Sequence, residues 1–138
     1  MKKQSLTNVN KLGRLLYLIL IMVFFLSIIT QFFLAGLAIF VNPVNWLKHT
    51  TFIHLFGFNI PIILLLLAYI GRLPRWAYWH IFGLLVGVFG MYFTANITAI
   101  YSWVGALHPI IAIVLFGICY QAIMKTTKLI FNKQKEEK

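Results

Sequence analysis

Apolar residues run along this chain in four long blocks, separated by short polar or proline-bearing stretches. A helix rising 1.5 Å per residue needs about 20 mostly apolar residues to cross a bilayer. Four segments reach that length, roughly 15–41, 51–70, 76–95 and 103–124. Asn42-Pro43 closes the first, because proline cannot continue a helix and restricts the residue before it. Gly71 and Pro74 close the second. The connections are short, about nine, five and seven residues, and short links make sequential spans antiparallel neighbours. The predicted fold is therefore all-α, an up-down-up-down four-helix integral membrane bundle forming a single domain. Trp46, Trp76, Trp79, Tyr101 and Trp103 fall near the predicted span ends, where interfacial aromatics belong. Basic tails are expected over 1–14 and 125–138. Leu129, Ile130 and Phe131 suggest that the last helix continues along the membrane surface before fraying.

Composition agrees with this pattern. The 138 residues are 62% apolar and 10% charged, with a mean hydropathy of +0.91. A soluble domain is nearer half apolar and about a quarter charged. The first apolar block exceeds the 7–15 residues of a signal-peptide core and lacks a convincing cleavage site, so it is expected to remain as a span. The net charge of +10 raises nucleic acid as a partner, but the placement of the charge argues against it. Of the 12 cations, only Lys48 lies on the far side from both tails and the Gly71–Arg75 turn. That asymmetry predicts both termini in the cytoplasm of a bacterial cell. The bilayer is the expected partner, with anionic headgroups at the tails. A larger membrane complex or a homo-oligomer is left open.

Candidate chemistry is sparse. The two carboxylates, Glu136 and Glu137, lie in the C-terminal tail. Paired-carboxylate hydrolysis and carboxylate sites for hard cations therefore have no residues to work with. Cys119 stands alone and reads best as a small buried hydrophobe. No catalytic residue is assigned, and a stand-alone enzyme is not expected.

What remains is histidine. His54 and His108 are placed roughly 5 Å and 7 Å inside the same end of the second and fourth spans. Ionisable groups at such depth usually face the protein interior and mark function. Two imidazoles at matched depth suit the axial positions of a haem iron. Lys48 and His49, expected in the outer loop, would then meet the propionates. Gln31 and Thr94 would supply surrounding polar groups. Gly57 and Pro61 are expected on the His54 face, and Gly105, Ala112 and Cys119 on the His108 side. Gly83, Gly87 and Gly90 share a face of the third span with Thr94. They suit close helix packing, a flat wall for a planar cofactor, or both. The alternative for the histidines is a hydrogen-bonded tie between helices, worth about 1 kcal/mol in a membrane. His80 reads as an interfacial residue. Zinc fits poorly, since its sites need about four ligands.

Gln31-Phe32-Phe33-Leu34-Ala35-Gly36-Leu37, His54 with Gly57, Gly71-Arg72-Leu73-Pro74-Arg75 and Leu107-His108-Pro109 together resemble a family of small four-span bacterial membrane proteins of unknown function. The resemblance covers roughly 15–125 and implies the topology without an activity. A looser similarity to four-helix b-type membrane cytochromes and to half of a haem A synthase implies haem b between paired helices. Three functions follow as expectations: a b-type haem protein used in redox, sensing or haem handling; a structural or accessory subunit of a larger membrane complex; and a site for a quinone or other small molecule in the same pocket.

Overall fold

The computed structural model describes residues 6–131, and among them there is helix and no strand. Helix α1 spans Asn8–Phe40, α2 Asn45–Phe56, α3 Asn59–Ile70, α4 Arg75–Ile97 and α5 Leu107–Phe131, the last preceded by a 3₁₀ turn over Ser102–Ala106. These make four segments long and apolar enough to cross a membrane: α1, α2 with α3, α4, and the 3₁₀ turn with α5. The chain is an integral membrane protein with an up-down-up-down bundle.

Helix starts lie earlier than the apolar pattern suggests. α1 begins at Asn8 because Thr7 and Asn10 form a reciprocal cap: Asn10 N donates to Thr7 Oγ1 at 3.3 Å, and Thr7 N to Asn10 Oδ1 at 3.0 Å. Residues 8–14 are thus helical and not part of a tail. The remaining tail residues, 1–5 and 132–138, lie outside the described residues. The first connection is a tight turn at 41–44. Asn45 braces it by donating to Asn42 O at 3.0 Å and Leu37 O at 3.4 Å. His49 therefore lies in helix α2 and not in a loop.

The second span is broken between α2 and α3 at Gly57-Phe58. Pro61 has no N–H for the carbonyl of residue 57, and its ring crowds that carbonyl. Asn59 Nδ2 donates to Leu55 O at 2.8 Å, which helps satisfy the interrupted ladder.

The four spans close into a ring. α1 lies against α5 on one side and α2–α3 on the other, while α4 bridges α5 and α3. The core runs through Tyr17, Ile21, Phe24, Leu64, Ile81, Leu84, Val88 and Leu115. Large apolar side chains on the outer faces, such as Leu26, Phe33, Leu66 and Phe89, are exposed. A surface of that kind suits lipid, where association depends on packing rather than on escape from water.

The end opposite His49 and His108 is pinned by a buried arginine. α3 stops in a Schellman arrangement: Leu73 N donates to Ala68 O at 2.9 Å, and Arg72 N to Tyr69 O at 3.1 Å. Arg72, with φ 46°, takes the left-handed position usually left to glycine. The remaining carbonyls receive donors from α1. Asn10 Nδ2 reaches Ile70 O at 2.9 Å, Arg14 Nε reaches Gly71 O at 2.8 Å, and Arg14 Nη2 reaches Arg72 O at 3.2 Å. The two helices approach this closely because Gly13 meets Gly71. A Cβ on Gly13 would lie 2.8 Å from Gly71 N, and one on Gly71 would lie 3.0 Å from Arg14 N.

Candidate functional site

The histidine that faces His108 is His49. Their ring centres are 6.5 Å apart with planes tilted by 50°. They stand on diagonal spans, since α2 and α5 make no direct backbone approach. Each ring is braced from an adjacent span. His49 Nδ1 lies 3.3 Å from Gln31 O, and Gln31 Nε2 donates to His49 O at 3.0 Å. His108 Nδ1 lies 3.1 Å from Thr94 Oγ1, which itself donates to Gly90 O at 2.8 Å.

These contacts determine what each ring presents. A backbone carbonyl only accepts, so His49 Nδ1 carries the proton. With the Thr94 hydroxyl hydrogen on Gly90 O or Met91 O, Oγ1 accepts from His108 Nδ1–H. In a neutral imidazole the other nitrogen, Nε2, is then a bare acceptor. The ring contacts above engage Nδ1 of each imidazole, and His108 has the Met91 backbone as a further hydrogen-bond partner. Gln31 adds a third acceptor. Its Nε2 donates to a carbonyl, which fixes the amide orientation, and its Oε1 is buried without a partner. Three electron-pair donors with no proton among them gather in one region.

Two cavities meet there. One, of about 110 Å³, has a floor of Phe24, Phe56, Val88 and Leu115, with Phe32 and Pro109 toward the surface between α1 and α5. The other, of about 330 Å³, is bordered by Thr50, His54, Tyr92 and Asn96 between α2 and α4. Gln31, His49, Ile53, Met91 and His108 line both. They form the partition between an apolar chamber and a polar one.

The other expected site residues fall elsewhere. His54 is exposed, and its Nδ1 pairs with the Tyr92 hydroxyl at 3.0 Å. It borders the polar chamber but not the partition. Gly57 is buried while His54 is exposed, and the break at Gly57-Phe58 separates His54 from Pro61. Lys48 borders a different groove, with Leu34, Leu47 and Leu55, because one residue along a helix is about 100° around it. Gly83, Gly87 and Gly90 do not form a wall for a planar cofactor. Cβ atoms there would lie 3.1 Å from Ile118, 2.5 Å from Leu115 and 3.4 Å from Ile111. Side chains of α5 already fill that face. Ala112 and Cys119 are buried and His108 half-buried on one side of α5, as their spacing implied. His80 is half-buried, and its Nδ1 lies 2.6 Å from Trp76 O within its own helix.

Met91, Asn45, Asn10 and the burial of Arg14 escaped the sequence reading. Met91 carried no polar signal. The other three lie at helix ends whose positions were misjudged. His49 was legible in principle: with Phe52, Ile53 and Phe56 it makes the i, i+3, i+4, i+7 stripe of a buried helix face.

Among the described residues, no group of three or more His, Cys, Asp or Glu side chains gathers. No curated protein and no solved structure matches the chain, and nothing in these comparisons supports the looser likeness to b-type cytochromes or haem A synthase. The sequence profile of a family of unknown function, DUF6220, matches residues 31–99, half of the chain. That stretch holds Gln31, His49, Met91 and Thr94 and stops short of His108. The chain belongs to this family of unknown function, DUF6220.

Proposed function

We propose that this protein binds a membrane-soluble aromatic diol, of the quinol class, at the partition between the two chambers. The observation that carries the reading is that His49, His108 and Gln31, whose Oε1 is buried without a partner, line both cavities, with the two imidazole centres 6.5 Å apart. Acceptors without donors select a ligand that donates. A diol offers two O–H groups, whereas its oxidised dione offers only acceptors and leaves the protein atoms unsatisfied. Mismatch of that kind discriminates more strongly than a change in apolar shape. The apolar chamber takes ring and tail carbon, and two of its lining residues, Phe32 and Pro109, are exposed on the outer surface of the bundle. By the distribution of cations, the histidine end faces the outside of the cell, so the polar chamber leads to the outer surface.

A haem held between His54 and His108 has less behind it. His54 is engaged with Tyr92, the glycine face is filled, and Ile53 and Met91 border the space between the His49 and His108 rings.

The test uses full-length protein in detergent or nanodiscs, titrated with a short-tailed quinol, its quinone and its dimethyl ether. The diol is expected to bind at least tenfold more tightly than the other two, and His49→Ala or Gln31→Leu to remove that preference. Equal binding of diol and dione overturns the reading. A Soret band in the purified protein, lost in His108→Ala, replaces it with haem.

A further inference from the structure

We propose that His49, His108 and Met91 form a binding site for a monovalent copper ion. The proposal shares with the preceding reading the two bare Nε2 atoms, but it does not require an organic ligand.

The geometry already lies close to what one ion needs. With nitrogen about 2.0 Å from the metal, ring centres of two coordinated imidazoles stand roughly 5.5–6.3 Å apart, from a trigonal to a linear arrangement. The ring centres of His49 and His108 are 6.5 Å apart, just beyond that range, and both residues line the same cavities. The His49 Nδ1 contact to Gln31 O and the His108 Nδ1 contact to Thr94 Oγ1 support the tautomer with Nε2 unprotonated, the form a metal requires. Met91 borders both chambers beside the two rings and brings a thioether.

The ligand types choose the ion. Imidazole with thioether is a soft set that selects Cu⁺. Hard cations need oxygen ligands, often carboxylate, and the two glutamates of the chain lie in its last three residues. Zinc takes about four ligands, and no cluster of its usual residues gathers among those described. All three proposed ligands are neutral, so the bound ion brings a single charge into a site with apolar walls. A dication would bring twice that charge with no anion to offset it.

The experiment is an anaerobic titration of the full chain with Cu⁺ against a chromophoric Cu⁺ chelator, followed by X-ray absorption of the loaded protein. We expect one Cu⁺ per chain with two nitrogen neighbours and one sulfur neighbour. His49→Ala and His108→Ala should each weaken binding at least 100-fold. Met91→Leu, which conserves shape, should remove the sulfur signal and weaken binding about tenfold. His54→Ala should leave both unchanged. Failure to compete with the chelator, or Cu⁺ binding that survives His49→Ala and His108→Ala, overturns the proposal. So does a spectrum unaltered by Met91→Leu. Met91→Leu should spare diol affinity, and Gln31→Leu should spare copper, so the two readings fail separately.

Discussion

His49 and His108 meet across the diagonal of the bundle, each held by a different neighbouring span. Gln31 of α1 fixes the first through a carbonyl, and Thr94 of α4 fixes the second through a hydroxyl. Two unrelated contacts thus engage the same nitrogen, Nδ1, on both rings. A tie between helices needs only one hydrogen bond per ring, and Nδ1 supplies it on each.

Thr94→Val removes the hydroxyl that holds His108 while nearly preserving shape. Loss of such a supporting partner typically lowers ligand affinity about 10–100-fold. The same range is expected here for whichever ligand the site takes. Thermal unfolding should change by less than about 1 kcal/mol, since membrane hydrogen bonds contribute little. Titration alongside a melting curve checks both.

Arg14→Met strips donors from Gly71 O and Arg72 O at the opposite end. A buried acceptor left unpaired costs about 1–3 kcal/mol, so a destabilisation of about 2–4 kcal/mol is expected in detergent unfolding. Arg14→Lys should recover only part of it, because an ammonium lacks the planar fork that reaches both carbonyls. Ligand affinity at the histidine end should be unaffected in the fraction that remains folded.

Arg72→Gly should be more stable than Arg72→Ala, which loses the same side chain, by about 1 kcal/mol. Arg72 holds a left-handed backbone, which a residue with a Cβ enters at a cost of about 1–2 kcal/mol. Glycine enters it freely but gains freedom when unfolded, which offsets part of the gain. An unfolding midpoint for Arg72→Gly equal to or below that of Arg72→Ala would contradict a left-handed backbone cost at this position.

Gly87→Ala places a methyl carbon 2.5 Å from Leu115 Cδ2 and 2.9 Å from its Cγ. Overpacking of this kind costs about 1–3 kcal/mol. Gly36→Ala meets no atom within 4 Å and should be neutral or slightly stabilising. A pair of unfolding curves distinguishes the two positions.

The topology was legible because it depends on block length and on proline and glycine punctuation, which a linear sequence displays directly. The site was legible only in part. His108, Gln31 and Thr94 were found because polar residues in an apolar block stand out. His49, the ring nearest His108, was missed because the depth argument relied on where α2 begins. Extending that helix back to Asn45 turns His49 inward and leaves His54 near the mouth, a change of face produced by five residues at 100° each. The role of the glycines was equally undecidable from spacing. Small residues make room, and only the partner helix shows whether Leu115 or a cofactor fills it. The break at Gly57 illustrates the same limit: Pro61 announced a kink, but not which neighbours would rotate out of line.

The most direct measurement is the protonation state of the two imidazoles, read by nitrogen-15 NMR of histidine-labelled protein in nanodiscs at neutral pH, with His49→Ala and His108→Ala used for assignment. Both rings should be neutral, with hydrogen on Nδ1 and a bare Nε2 whose resonance moves when ligand is added. Hydrogen on Nε2 of either ring would contradict the account, because the three acceptors would no longer converge on one ligand.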